Sequence, residues 1–228
     1  MKILVIGAMR VEIEFILEKL DNLVERKINN YTFYLGKLFN KDIILVESGI
    51  GKVMSGVLLA NAYNSFENID YVINIGVAGG YNNVNIGDIV VGDKYIFGDA
   101  DATAFPKYRF GQIPGFPFPF KASEFLLEKA LKFDSHKGTI CTMDRFVSND
   151  EFIKPFIEKY FTDFNILCFD METTAFAQAA HFYNLEFLAI RAISDIVGSK
   201  EVEKSYDHNL DLACINSNTF LLNLLQSF

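Results

Sequence analysis

The chain has no tryptophan, and only three cysteines and three histidines among its 228 residues. The cysteines, Cys141, Cys168 and Cys214, lie far apart, each within an apolar stretch. That spacing offers no metal-ligand motif and reads as three reduced core thiols of an intracellular protein. Positive charge is also scarce. The net charge of −8 excludes the basic face that binding to a nucleic-acid backbone requires and suits a neutral or cationic small molecule better. No apolar run approaches the ~20 residues of a membrane-spanning helix. The opening stretch Lys2–Gly7 is too short for a signal-peptide core, and no small-residue cleavage site follows it, so the expected compartment is the cytoplasm. Neither the phosphate-cradling P-loop nor the dinucleotide fingerprint occurs, which removes nucleoside triphosphates and nicotinamide cofactors from consideration.

Half of the residues are hydrophobic, enough to fill the core of one sizeable domain spanning residues 1–228. Apolar runs alternate with amphipathic stretches throughout, without linker, repeat or low-complexity tract. The pattern predicts strands over 2–6, 31–35, 43–46, 71–75, 89–91, 138–142, 164–169 and 187–190. It predicts helices over 11–20, 52–66, 123–133, 149–161, 173–183 and 207–225. Residues 99–120, rich in Pro, Gly and Phe, read as a long irregular loop of the kind that serves binding. The alternation argues for an α/β fold of three layers, a central mixed, mainly parallel twisted sheet flanked by helices.

Two acidic clusters follow apolar runs: Asp170-Met171-Glu172 after the run ending at Phe169, and Arg191-Ala192-Ile193-Ser194-Asp195 after Ile190. Both clusters are expected at the carboxyl ends of adjacent strands, the edge where open α/β sheets bind ligands. A carboxylate at the end of a hydrophobic strand is costly unless it is paired, hydrogen-bonded or protonated, and catalysis exploits that perturbation. Glu12 falls in the first turns of the helix after Gly7-Ala8-Met9. There it either complements the helix dipole or serves a site. The segments Gly49-Ile50-Gly51-Lys52 and Gly76-Val77-Ala78-Gly79-Gly80 read as glycine-rich turns that let backbone approach a ligand.

Eight blocks in order are similar to the bacterial 5′-methylthioadenosine/S-adenosylhomocysteine nucleosidases of the nucleoside phosphorylase-like superfamily. They are Ile6–Met9 with Glu12, Ser48–Val53, Gly76–Gly80, Gly87–Val91, Asp99–Phe105, Gly111–Pro114, Met171-Glu172 and Arg191–Asp195. The resemblance covers nearly the whole chain and implies the nucleoside phosphorylase-like fold. It also implies hydrolysis of the bond between adenine and ribose through an oxocarbenium-like transition state. By that resemblance Asp195 protonates adenine N7, which requires a raised pKa. Glu172 accepts hydrogen bonds from the ribose hydroxyls, and Glu12 deprotonates the attacking water. Arg191 holds that water or the carboxylate, and Met171 packs under the ribose. Phe146 stacks on adenine while the backbone of Val147 reads its polar edge, with Ala78, Gly79 and Ser194 beside the base. Ile50, Ala102, Phe105, Pro114 and Tyr206 line the 5′-alkylthio pocket. The loop with Phe105 and Pro114 reaches a neighbouring subunit's site, so a homodimer is implied. No cofactor or metal is implied, and no nucleic-acid or membrane partner.

The chain departs from the family pattern at several positions. Val77 stands where a serine is frequent, Asp170 where glutamate is usual, and Tyr206 where phenylalanine usually closes the pocket. Val11, Gly98 and Thr142-Met143 differ as well. These changes bear on the preference among 5′-thioadenosines and leave the proposed acid, base and ribose ligand in place. The alternatives are a purine nucleoside phosphorylase, a hydrolase of 6-amino-6-deoxyfutalosine, and a non-catalytic nucleoside-binding protein on the same scaffold.

Overall fold

Each alternating apolar run becomes a strand and each amphipathic stretch a helix. The computed structural model describes residues 1–200 and 202–228. In chain order the elements are β1 (Lys2–Gly7), α1 (Arg10–Leu17), β2 (Asp21–Ile28), β3 (Tyr31–Leu38), β4 (Lys41–Glu47), α2 (Lys52–Ser65), β5 (Tyr71–Gly80) and β6 (Ile89–Phe97). They continue with β7 (Phe120–Lys121), α3 (Glu124–Ala130), β8 (His136–Thr142), α4 (Asp150–Tyr160), β9 (Ile166–Asp170), α5 (Thr173–Phe182), β10 (Glu186–Ile196) and α6 (Val202–Gln226). No helix among the described residues is long and apolar enough to cross a membrane.

The strands form one mixed ten-stranded sheet. On one side β5, β1 and β4 run parallel, and β3 and β2 extend them antiparallel. On the other side the sheet closes on itself: β5 pairs with β10, β10 with β6, β6 with β8, β8 with β9, and β9 with β5 again. This closure corrects one expectation. β9 and β10, which end in or carry the two acidic clusters, are not neighbours, because β5 lies between them.

Side chains alternate across the sheet as the period of two requires. Leu4, Ile6, Ile44 and Val46 pack against Leu58, Leu59 and Ala62 of α2 and Phe176 of α5. Ile3, Val5, Ile43 and Leu45 face Ile13 and Ile16 of α1, Leu126 of α3 and Phe220, Leu221 and Leu224 of α6. A third cluster joins α4 to the ring through Ile153, Phe161, Phe169 and Met143. Cys141, Cys168 and Cys214 are buried and unpaired, as expected.

Several elements differ from the sequence reading. β2 escaped it because charged residues flank the short apolar pair Leu23-Val24; the strand is an exposed edge, where charge discourages pairing with other chains. Gly76–Gly80 is the continuation of β5 rather than a turn. β10 runs past Ile190 to Ile196, with a register irregularity between Ile193 and Asp195, so Arg191 and Asp195 lie within a strand. Residues 99–119 form no helix or strand, as predicted.

Leu221 is fully buried between sheet and helices. Leu221→Ala is expected to lower the unfolding free energy by about 3 kcal/mol. Urea titration followed by circular dichroism measures this, and a loss below about 1 kcal/mol would contradict the packing.

Candidate active site

The carboxyl ends of β1, β5 and β9, the last turns of β10 and the start of α6 enclose a cavity with about 520 Å3 of space between protein atoms, counting its open mouth. Its wall includes Met9, Glu12, Ile50, Ala78, Gly79, Phe146, Met171, Glu172, Ser194, Asp195 and Tyr206. Eleven residues scattered over most of the chain thus meet in one place.

Glu12 sits at the third position of α1, and its carboxylate folds back on the helix start. Oε2 accepts from the N–H groups of Ala8 (2.6 Å) and Met9 (3.0 Å), and Oε1 from that of Val77 (3.0 Å). Both readings of Glu12 therefore hold at once: it caps the helix and borders the cavity. The backbone N–H of Val77 supplies the polar support that its side chain lacks. Gly76 is required here, since a Cβ would lie 2.5 Å from Glu12 Oε1. Burial raises the Glu12 pKa, against the opposing effects of Arg191 and the three N–H donors.

Glu172 occupies the N-cap position of α5 without a side-chain bond to the helix, and its Oε1 accepts instead from the N–H of Gly51 at 2.8 Å. Gly51 has φ +94, a conformation that favours glycine, so this glycine turn approaches a carboxylate. Burial, reinforced by the charge of Asp170 and opposed by Arg191, pushes Glu172 up to about 7.

Asp195 is held differently. Its Oδ1 accepts from the Ser194 hydroxyl at 2.7 Å, while its Oδ2 is buried without a hydrogen-bond partner among the described residues. Burial raises its pKa. Gly79 leaves this oxygen uncovered, since a Cβ there would stand 3.1 Å from it. A buried carboxyl with one unused oxygen favours its neutral form, which can donate a proton to a ligand.

One expected position, that of Arg191, differs. Arg191 does not reach the cavity wall. It is 2% exposed, and its donors are used by Asp170 (2.8 Å from Nη2, 3.0 Å from Nε), Asn74, Thr173 (2.7 Å) and the Ile190 carbonyl. Burying a guanidinium requires this set of partners, which leaves no donor for a ligand. Ala102, Phe105 and Pro114 lie off the wall of their own chain's cavity; the resemblance places their loop at a neighbouring subunit's site. Their loop is tied towards α4 by the Arg109–Asp163 pair at 2.7 and 2.8 Å and by Phe110 stacked on Tyr160 at 4.4 Å; Phe105 is 62% exposed. Val147 is buried in the third core cluster and only Phe146 of that pair borders the cavity.

Ala8, Met9, Phe169 and Asp170 also line the cavity without having been expected there. Ala8, Met9 and Asp170 lie within the quoted motifs and Phe169 directly before one, and that position was the available signal. Among the described residues no group of three or more His, Cys, Asp or Glu side chains is placed to hold a metal ion.

The raised pKa of Glu172 has a stability consequence. The folded state holds this proton more tightly than the unfolded chain, so the stabilisation is complete below 4.5 and is lost as pH rises through about 7. Wild-type stability is expected to decline across that window more steeply than that of Glu172→Gln. Urea midpoints at intervals of pH test this, and parallel curves would refute it.

Residues 2–226 match the family model for the phosphorylase superfamily. The 5′-methylthioadenosine/S-adenosylhomocysteine nucleosidase of Bacillus thuringiensis is 37% identical, over 99% of this chain and 99% of the relative. The S. pneumoniae nucleosidase of the same name, solved with the transition-state inhibitor MT-ImmA, superposes with a TM-score of 0.93 at 34% identity, covering 100% of this chain and 99% of that one. A futalosine hydrolase mutant of Helicobacter pylori gives 0.91 at 28% identity, with 100% and 99% covered. With Glu12, Glu172 and Asp195 gathered on a fold shared along its whole length, the chain belongs to the 5′-methylthioadenosine/S-adenosylhomocysteine nucleosidases of the phosphorylase superfamily.

Proposed function

We propose that the protein hydrolyses the adenine–ribose bond of 5′-methylthioadenosine and S-adenosylhomocysteine, releasing adenine and 5-methylthioribose or S-ribosylhomocysteine, as in methionine salvage. The observation that carries the chemistry is the set of three buried carboxyls in unlike environments on one cavity. Asp195, with its unused oxygen and raised pKa, donates a proton to adenine N7 as the C–N bond breaks, so that the base leaves neutral. Glu172 accepts the ribose hydroxyls, and its charge favours the developing ribosyl cation. Glu12, which three N–H groups hold in place, takes the proton of the attacking water. Phe146 stacks on adenine beside Ala78, Gly79, Ser194 and the backbone of Val147, Met171 packs under the sugar, and Ile50 and Tyr206 border the 5′ group.

Phosphorolysis fits the cavity poorly. A phosphate nucleophile needs fixed cationic donors, whereas the wall bears Glu12, Asp170, Glu172 and Asp195 and no Lys or Arg among the described residues. Adenine release from 5′-methylthioadenosine and S-adenosylhomocysteine is expected without phosphate, with the free 5-alkylthioribose identified by mass; 5′-deoxyadenosine and aminofutalosine, assayed alongside, rank the substrates by their own free sugar products. Asp195→Asn is expected to lower kcat by at least about 100-fold while the protein stays folded. A sugar 1-phosphate formed only with phosphate, or undiminished turnover in the variant, would refute the reading.

A homodimer completes the site in this reading. An apolar groove with about 930 Å3 of space between protein atoms, counting its open mouth, runs between α2 and α5, with Val53 73% and Phe182 66% exposed on its rim. A patch of this kind favours association, and a second copy is the occupant whose loop carries Ala102, Phe105 and Pro114 to the 5′ pocket. Sedimentation is expected to give a dimer; a fully active monomer would rule the arrangement out. Three buried thiols suit the reducing cytoplasm.

A further inference from the structure

Among the described residues the Tyr206 hydroxyl has only a weak sulfur acceptor. Its ring stands edge-on to Phe146, with centroids 5.7 Å apart and planes at 84°, so the side chain has a fixed direction. The hydroxyl contacts Met9 Sδ at 3.7 Å, and a thioether sulfur is a weak acceptor. The apolar groups beside it, Met9 and Phe146, border the same cavity. Burial, with the charges of Glu12, Asp195 and Asp207 and the thiol of Cys214 nearby, pushes its pKa up to about 12. At neutral pH it is therefore a phenol with a proton to donate.

In the nucleosidase reading above, Asp195, Ser194, Ala78, Gly79 and Phe146 hold the base and Glu12 with Glu172 the sugar. Of the cavity's lining, Ile50, Met9 and Tyr206 are then left for the substituent at C5′. Ile50 is 55% exposed, so this part meets solvent and admits a chain longer than a methyl group.

We infer that the Tyr206 hydroxyl is a specificity determinant, donating a hydrogen bond to the substrate's 5′ substituent and favouring a substituent with a carboxylate or other oxygen acceptor over a bare methylthio group. The inference rests on the nucleosidase reading above. A phenol gains little from a thioether sulfur, whereas a bond from a neutral donor to a carboxylate is among the stronger kinds.

The test is Tyr206→Phe, which keeps the ring and its contact with Phe146. The ratio of kcat/KM for S-adenosylhomocysteine to that for 5′-methylthioadenosine is compared with wild type, with thermal unfolding as a control for folding. The ratio is expected to fall about fivefold to tenfold. A ratio within about twofold of wild type would overturn the inference. So would an equal fall in kcat for both substrates, which would place the hydroxyl at the reacting centre. Wild-type protein that releases no adenine from either substrate would instead defeat the nucleosidase reading, so the two failures are distinct.

Discussion

The buried Arg191–Asp170 pair is the constraint on which the site end of the fold depends. Arg191 is among the largest fully buried side chains. A guanidinium taken out of water is tolerable only when charge and hydrogen bonds surround it. The partners come from separate elements: Asp170 at the end of β9, Asn74 in β5 and Thr173 at the start of α5. Asp170 also accepts from Thr142 of β8 at 2.6 Å, and Thr142 bonds Thr174, whose hydroxyl reaches the Ile96 carbonyl of β6. One polar network therefore ties the ring of strands together at the edge where Glu172 emerges. Replacing such a network by apolar groups need not cost stability. What it fixes here is the position of the strand ends, and with them the carboxylates of the cavity.

The three cavity carboxyls form a graded series. Glu12 accepts three backbone N–H bonds and Glu172 a strong one from Gly51, whereas Asp195 accepts only the Ser194 hydroxyl. Hydrogen bonds to the ionised form favour it, and burial without them favours the neutral acid. Environments that separate the proton affinities of similar groups assign acid and base roles in enzymes that use two carboxyls. That grading supports the proposed roles, with the least supported carboxyl, Asp195, as proton donor and the best supported, Glu12, as acceptor.

Glu172 and Asp195 were legible in the sequence because their clusters follow apolar runs, where a carboxylate needs a reason; Glu12, at a helix start that a dipole alone could explain, was singled out by the family resemblance. The strands themselves were legible for the same reason of periodicity. The closure of the ring was not, since the order in which strands pair is a long-range property that local pattern does not encode. β2 was missed because an exposed edge strand can carry charges at any position. Arg191 was misplaced because a cationic residue in a motif looks the same whether it faces a ligand or an internal carboxylate; only the three-dimensional position of Asp170 separates the two. The loop bearing Phe105 and Pro114 was recognised as irregular, but its attachment to Asp163 and Tyr160 joins residues about fifty positions apart.

The cavity is also graded in its access to water. At the base end Asp195 is 1% exposed and Ser194 fully buried, while Ile50 and Phe146 at the mouth are about half exposed. Electrostatic contacts at the dry end act at low dielectric. The nucleophile has to come from the opposite direction, through the region of Glu12 and Glu172, where negative charge attracts a developing cation and disfavours an anionic competitor. Selection of water over phosphate thus follows from the same placement of charge that stabilises the ribosyl group, with no separate device needed to exclude the larger nucleophile.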